Sequence, residues 1–169
     1  MKIDTGRFTF GVLTMSDKGS RGEREDTSGP HLLKTFNDLG YQQKAYAVIP
    51  DRAEGITETL VSWVDDKKID LIITTGGTGV APTDVTPEAM AGVIEKEIPG
   101  MAEAMRAESL KKTPNAVLSR GIAGIRGRCL IINLPGSEKA ARENIAVLIP
   151  SLAHALDKIQ GGTSDCGVG

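Results

Sequence analysis

A single α/β domain, with a mostly parallel sheet between two layers of helices, is what this sequence predicts, and three observations predict it. Apolar runs of strand length alternate with segments whose apolar residues recur at helical spacing. The run from Asp70 to Thr75 is dense in isoleucine with no polar alternation, as suits a strand buried on both faces. The chain has 169 residues, the size of one ordinary domain, and it can bury roughly two-thirds of its unfolded surface without a disulfide or metal staple. The domain is placed at residues 7–160, with 1–6 and 161–169 as flexible termini.

The elements follow in order. Phe8 to Met15 is a first strand. Ser28 to Leu39 is a helix, with Leu32, Leu33, Phe36 and Leu39 on one face and Gly40 as its stop. Tyr41 to Ile49 is a second strand, ended by Pro50. From Asp51 to Lys68, Ile56, Leu60, Trp63 and Val64 recur at helical spacing, and Asp70 to Thr75 is the central strand. A helix begins near Thr86, with the threonine as cap and Pro87 in the first helical position, and Ile98-Pro99-Gly100 is read as its end. Met101 to Lys112 is a further helical stretch. Between Ala116 and Leu134, two closely spaced glycines and arginines predict a small hairpin-like excursion before the strand Cys129 to Leu134. Ser137 to Ile159 is a closing helix, with Ile145, Leu148, Leu152 and Leu156 on one face and a kink expected at Pro150.

Composition excludes several classes. With 40% hydrophobic and 25% charged residues the chain is neither disordered nor fibrous. A net charge of -2 removes the general attraction to nucleic acid, and three Phe, two Tyr and one Trp offer few stacking platforms for bases. No apolar run approaches the roughly 20 residues that span a bilayer, and Met1-Lys2-Ile3-Asp4 opens no signal peptide. A cytoplasmic protein without a membrane or nucleic-acid partner is therefore expected. Cys129 and Cys166 are read as reduced, and His31 and His154 lack the spacing of a zinc site.

In a parallel sheet ligands bind beyond the carboxyl ends of the strands, where loops meet helix N-termini. Every unusual segment of this chain falls there. After the first strand comes Ser16-Asp17, then a loop from Lys18 to Glu25 whose glycine and charge content suggests a mobile cover. Pro50-Asp51 follows the second strand. After the central strand comes Gly76-Gly77-Thr78-Gly79, whose glycines let backbone approach an anion, although it is neither a Walker A loop nor a dinucleotide fingerprint. Pro135-Gly136-Ser137 follows the last strand, with Ser137 as N-cap and the cations Lys139 and Arg142 in the first turns, where an anionic ligand would offset an unfavourable helix dipole. Asp84 is not needed to start its helix, and an acid beside an anion-binding loop repels the ligand unless a cation intervenes. Asp51 with Glu54 also fits a capping box, and Asp17 also fits a turn. Taken together, Asp17, Asp51 and Asp84 around two glycine loops point to Mg²⁺-assisted chemistry on a phosphate. No Gly-x-Ser-x-Gly elbow or post-strand histidine supports a protein nucleophile.

These residues also carry a resemblance. Thr74-Thr75-Gly76-Gly77-Thr78-Gly79, Asp84-Val85-Thr86-Pro87-Glu88-Ala89, Ile49-Pro50-Asp51 and Leu134-Pro135-Gly136-Ser137 resemble the molybdenum cofactor biosynthesis family of molybdopterin adenylyltransferases, the MogA/MoaB group. The similarity runs from about Arg7 to Ile159 and includes Asp26-Thr27-Ser28-Gly29, Met105-Arg106, Ser109, Ser119 and Arg120. It implies a molybdopterin-binding-like fold and an enzyme that transfers AMP from Mg-ATP to the molybdopterin phosphate, releasing pyrophosphate. It further implies a homotrimer and contact with a molybdenum-insertion protein. Carried over by motif, Asp51 and Asp84 are catalytic and hold the metal, while Ser16, Asp17, Gly76, Gly77, Thr78, Gly79, Ser109, Pro135, Gly136 and Ser137 bind nucleotide and pterin. The segment Asp26-Thr27-Ser28-Gly29 looks like the MoaB branch, yet Asp51 and Asp84 stand as in active members. Rival functions on the same fold are a non-catalytic molybdopterin-binding protein and a scaffolding domain.

Overall fold

The structure, a computed structural model, describes residues 3–163. Met1, Lys2 and 164–169, including Cys166, lie outside the described residues. Six strands, β1 (Thr9–Met15), β2 (Gln42–Ile49), β3 (Leu71–Thr75), β4 (Lys96–Glu97), β5 (Ala123–Arg126) and β6 (Cys129–Leu134), form one sheet in the order β2-β1-β3-β6-β5-β4. The first four in that order are parallel, and β6, β5 and β4 continue as antiparallel neighbours. The excursion expected before the last long strand is the β5–β6 hairpin, where Arg126 pairs with Cys129 across Gly127, whose φ is +55°.

Helices cover both faces. On one side α2 (Ser28–Asp38), α5 (Pro99–Leu110) and α6 (Glu138–Ile159) pack Leu32, Phe36, Met105 and Leu152 against Phe10, Val12, Ile73 and Ile132. On the other, α3 (Ala53–Asp65) and α4 (Thr86–Ala91) set Ile56, Leu60, Trp63 and Met90 against Leu13, Ile72 and Ile131. Successive residues of β1 and β3 thus feed opposite cores, which is why apolar residues are not confined to alternate positions in Phe10–Leu13 and Leu71–Ile73. Among the described residues no helix is long and apolar enough to cross a membrane. Cys129 is buried and free, and burial pushes its thiol well above the ordinary range.

Phe36 is fully buried between Phe10, 5.4 Å away in a tilted arrangement, and Tyr41, 5.3 Å away edge-on. Phe36→Ala is expected to cost about 3–5 kcal/mol of stability, read as a lowered denaturant midpoint in equilibrium unfolding.

Three local expectations are corrected. Lys18 to Glu25 is not loop throughout, because Asp17–Ser20 form a helical turn, α1, whose cap is Ser16. The helix begun at Thr86 ends at Ala91, not at Ile98-Pro99-Gly100. Buried Val93 follows it into the core, and residues 95–98 lie along β5, with Glu95 N–H donating to Ile125 O at 2.8 Å and Ile98 N–H to Ala123 O at 2.8 Å. Pro99 therefore starts α5, at a position where its missing N–H has no intrahelical partner to lose. Finally, Thr86 is the first residue of α4 and not its cap, which is Val85. At the N-terminus, Thr5–Arg7 form a 3-10 turn tied down by the Thr5 hydroxyl, which donates to Leu39 O at 2.7 Å. At the other end, α6 continues past Pro150 as one helix.

Candidate functional site

Sheet order reverses at β1, which has β2 on one side and β3 on the other, so the loops leaving these strands diverge and open a crevice at their carboxyl ends. A cleft of about 320 Å³ lies there. Ser16, Asp51, Gly76, Gly77, Asp84, Gly136 and Ser137 all line it, and they leave four different strands.

Two of its walls are held by reciprocal bonds. The Asp17 N–H donates to Asp51 Oδ2 at 3.0 Å, and the Asp51 N–H donates to Asp17 Oδ1 at 3.1 Å, fastening the exit of β1 to that of β2. Ser16 Oγ accepts from Gly19 N–H at 2.9 Å and turns the chain sharply after β1. Burial raises the pKa of the Asp51 carboxyl, and the negative charges of Asp17 and Asp84 raise it further, while the bond from the Asp17 amide works the other way. The Asp51 carboxylate on the cleft wall thus has like charge near it.

Asp84 Oδ2 accepts from Ala81 N–H at 2.9 Å, and its own N–H donates to Ala81 O at 2.9 Å, closing a tight turn ahead of α4. Its carboxylate therefore has a turn-forming contact as well as a place on the cleft wall.

Glycine is required on that wall by packing. Gly76 has φ +108°, and a Cβ there would stand 2.4 Å from Met15 O; Gly77 has φ +65°, and a Cβ would stand 2.2 Å from Thr86 Oγ1. Pro135 and Gly136 lie against this loop. Thr75 Oγ1 donates to Pro135 O at 2.6 Å, and Ser28 Oγ to Gly136 O at 2.8 Å. Asn133 Nδ2 donates to Thr74 Oγ1 at 3.0 Å and to Gly76 O at 3.3 Å. Ser137 caps α6 as expected, accepting from Ala140 N–H at 3.2 Å, and Lys139 and Arg142 are exposed.

Not every residue expected at the site meets in this cleft. Thr78, Gly79, Ser109 and Pro135 line a second cleft of about 260 Å³, together with Arg106 and Asn144. Ser109 Oγ accepts from Asn144 Nδ2 there at 2.8 Å. The Gly76–Gly79 and Pro135–Ser137 segments supply lining to both clefts. Asp17 lines neither and is occupied with the Asp51 backbone.

Asp26 lines the first cleft and is not among the site residues expected from the sequence. Its Oδ2 accepts from Thr14 Oγ1 and from the Tyr46 hydroxyl, both at 2.7 Å, and its Oδ1 accepts from Gly29 N–H at 3.0 Å. Burial and the Asp26 carboxylate push the Tyr46 phenol upward. The signal lies in Asp26-Thr27-Ser28-Gly29, an acid placed to satisfy a first-turn amide of α2.

Among the described residues no group of three or more His, Cys, Asp or Glu side chains is gathered as a metal cage. Asp51 and Asp84 remain on one cleft, a donor pair that suits Mg²⁺ completed by phosphate oxygens and water and does not suit an all-protein site.

Residues 11–154 match the family described as probable molybdopterin binding domain. Over 154 residues the chain is 42% identical to the molybdopterin adenylyltransferase of Helicobacter pylori strain J99, covering 90% of this chain and 88% of that one. It is 44% identical over 153 residues to the molybdenum cofactor synthesis protein cinnamon of Drosophila melanogaster, covering 88% of this chain but 26% of that longer one. The crystal structure of the molybdopterin biosynthesis enzyme MoaB from Thermus thermophilus superposes with a TM-score of 0.83 at 50% identity, over 91% of this chain and 97% of that one.

Proposed function

The chain belongs to the molybdopterin binding domain family, and from that premise we propose that it is a molybdopterin adenylyltransferase of molybdenum cofactor biosynthesis, transferring AMP from Mg-ATP to the molybdopterin phosphate and releasing pyrophosphate. The observation that carries this reading is that two carboxylates, Asp51 and Asp84, share one cleft with the side-chain-free backbone of Gly76, Gly77 and Gly136. In this reading the protein is cytoplasmic, acts as a homotrimer and hands its product to a molybdenum-insertion protein.

Adenylyl transfer requires little covalent chemistry from the protein. It needs the pterin phosphate oxygen in line with the α-phosphorus of ATP, and it needs the charge on the departing pyrophosphate neutralised. Mg²⁺ held by Asp51 and Asp84 supplies that neutralisation when bound. Gly76 and Gly77 place no Cβ between backbone and ligand, so phosphate oxygens approach the chain closely. The reciprocal Asp17–Asp51 bonds hold Asp51 at the end of β2, where it need not reorganise as charge develops. Burial of Asp51 among like charges favours a cationic ligand at the same point. Ser16 and Ser137 border the nucleotide, and Thr78, Gly79, Ser109 and Pro135 complete the ligand region from the second cleft.

The test is direct. The purified chain given molybdopterin and Mg-ATP is expected to release pyrophosphate and AMP-modified pterin, and EDTA is expected to stop it. Pterin binding without pyrophosphate release would replace this reading by that of a non-catalytic binding protein.

A further inference from the structure

The turn that carries Asp84 is exposed. Val80, Ala81, Pro82 and Thr83 all face solvent, with Val80 64% accessible, and its internal bonds are the pair between Ala81 and Asp84. So short and exposed a segment does not fix a carboxylate by its own packing. The Ala81 N–H holds the carboxylate within the turn, and the backbone of the turn is held from elsewhere in the chain.

Arg120, just ahead of β5, reaches the turn from both ends. Its Nε donates to Gly79 O at 2.7 Å and its Nη2 to Asp84 O at 2.6 Å, while Nη1 pairs with the Glu88 carboxylate on α4. The Arg120 backbone N–H adds a bond to Thr78 O at 2.8 Å. The segment bearing Arg120 is anchored in turn by Arg106 of α5, whose Nη1 donates to Gly121 O at 3.0 Å and to Ser119 O at 3.4 Å. Three donors of one planar guanidinium serve three acceptors in different directions, a pattern an ammonium group on a flexible stem does not reproduce.

We propose that Arg120 is the positioning residue of Asp84: by bridging Gly79 O, Asp84 O and Glu88 it sets where the Asp84 carboxylate stands in the cleft. This rests on reading Asp84 as a catalytic acid, and it deepens that reading without adding a group that touches substrate. Arg120 lines neither cleft, so its loss acts through Asp84 and not through ligand contact.

The experiment uses Arg120→Lys and Arg120→Ala, alone and combined with Asp84→Asn. Arg120→Lys keeps the charge and is expected to unfold thermally like the parent chain, yet to lower kcat for pyrophosphate release by about 100-fold, as small misplacements of a catalytic group do. The KM for ATP is expected to change far less, since the lost alignment bears on the transition state. In the Asp84→Asn background the same substitution is expected to cost almost nothing further, because the group it positions has gone. Hydrogen exchange supplies an arm independent of activity: the amides of Ala81 and Asp84 are expected to exchange about tenfold faster in Arg120→Lys, with β3 and β6 unchanged. Exchange and turnover at the parent level in both Arg120 variants would overturn the proposal. So would equal losses with and without Asp84, which indicate a role separate from it. Should the parent chain itself release no pyrophosphate, the catalytic reading fails while the exchange measurement still decides whether Arg120 holds the turn.

Discussion

Asparagine in place of Asp84 or of Asp51 is expected to lower pyrophosphate release by roughly 10²–10³-fold, the loss that follows removal of one preorganised charge-stabilising group, while the fold survives. Survival follows from the contacts. An asparagine oxygen still accepts from Ala81 N–H at position 84, and at position 51 it still accepts from Asp17 N–H. Asp51→Asn goes further and should raise stability at neutral pH. The folded protein holds the Asp51 carboxyl above its ordinary pKa, through burial first and then the charges of Asp17 and Asp84. A carboxyl whose pKa is raised by folding weakens the folded state once the pH climbs past its unfolded value of about 3.9, and the neutral amide has no such liability. The denaturant midpoint of Asp51→Asn should therefore equal or exceed that of the parent at pH 7, and the difference should close below about pH 4. A variant less stable and equally active would remove Asp51 from the site.

The parts of this fold written most plainly in the sequence are those whose two cores are both apolar. Ile72 and Ile73 point to opposite faces and both are fully buried, so β3 reads directly as an interior strand. Likewise Leu32 and Phe36 mark α2, and Trp63 with Leu60 marks α3. The stretch from Ala91 to Pro99 misleads because Pro99 is compatible both with stopping one helix and with starting the next. Only the antiparallel edge, where residues 95–98 bond to β5, chooses between them, and that pairing joins positions about thirty residues apart.

The site is legible in kind but not in its division. Acids and glycines at strand ends signal one crevice, since the chain reverses order at β1. That Thr78 and Ser109 face a neighbouring cleft depends on how α5 packs on α6, which periodicity does not report. Asp17 illustrates the limit most sharply. Its side chain meets the Asp51 amide, 34 residues away, and a carboxylate counted among three acids at the site turns out to brace a loop. Arg120 stands among the residues that carry the resemblance, but what it braces is not legible in the sequence, because its partners are mostly backbone carbonyls, and carbonyls carry no residue-specific signature.

Gly76→Ala is expected to produce the largest combined loss, in stability and in turnover. The residue sits at φ +108°, where an L side chain is strained, and the added methyl would meet the carbonyl oxygen of Met15 at 2.4 Å. That oxygen belongs to β1, a strand paired on both sides, so it has little freedom to retreat. Strain at a left-handed position and forced overpacking each cost about 1–3 kcal/mol, giving a loss that lowers the unfolding midpoint substantially. Movement of Gly76 in the other direction is limited too, since a Cβ built on Gly136 would lie 3.2 Å from the Gly76 Cα. Gly79→Ala is the informative contrast. Its backbone is not left-handed, and the atom its methyl would meet, at 2.6 Å, is Asp84 Oδ2, a side-chain oxygen that can swing aside. The Gly79 variant should therefore unfold close to the parent chain yet lose turnover with Asp84 displaced, whereas Gly76→Ala should lose both. Equal thermal stability for the two variants would show that the wall between the clefts tolerates a side chain at position 76, and the geometry assigned to the glycine loop would be wrong.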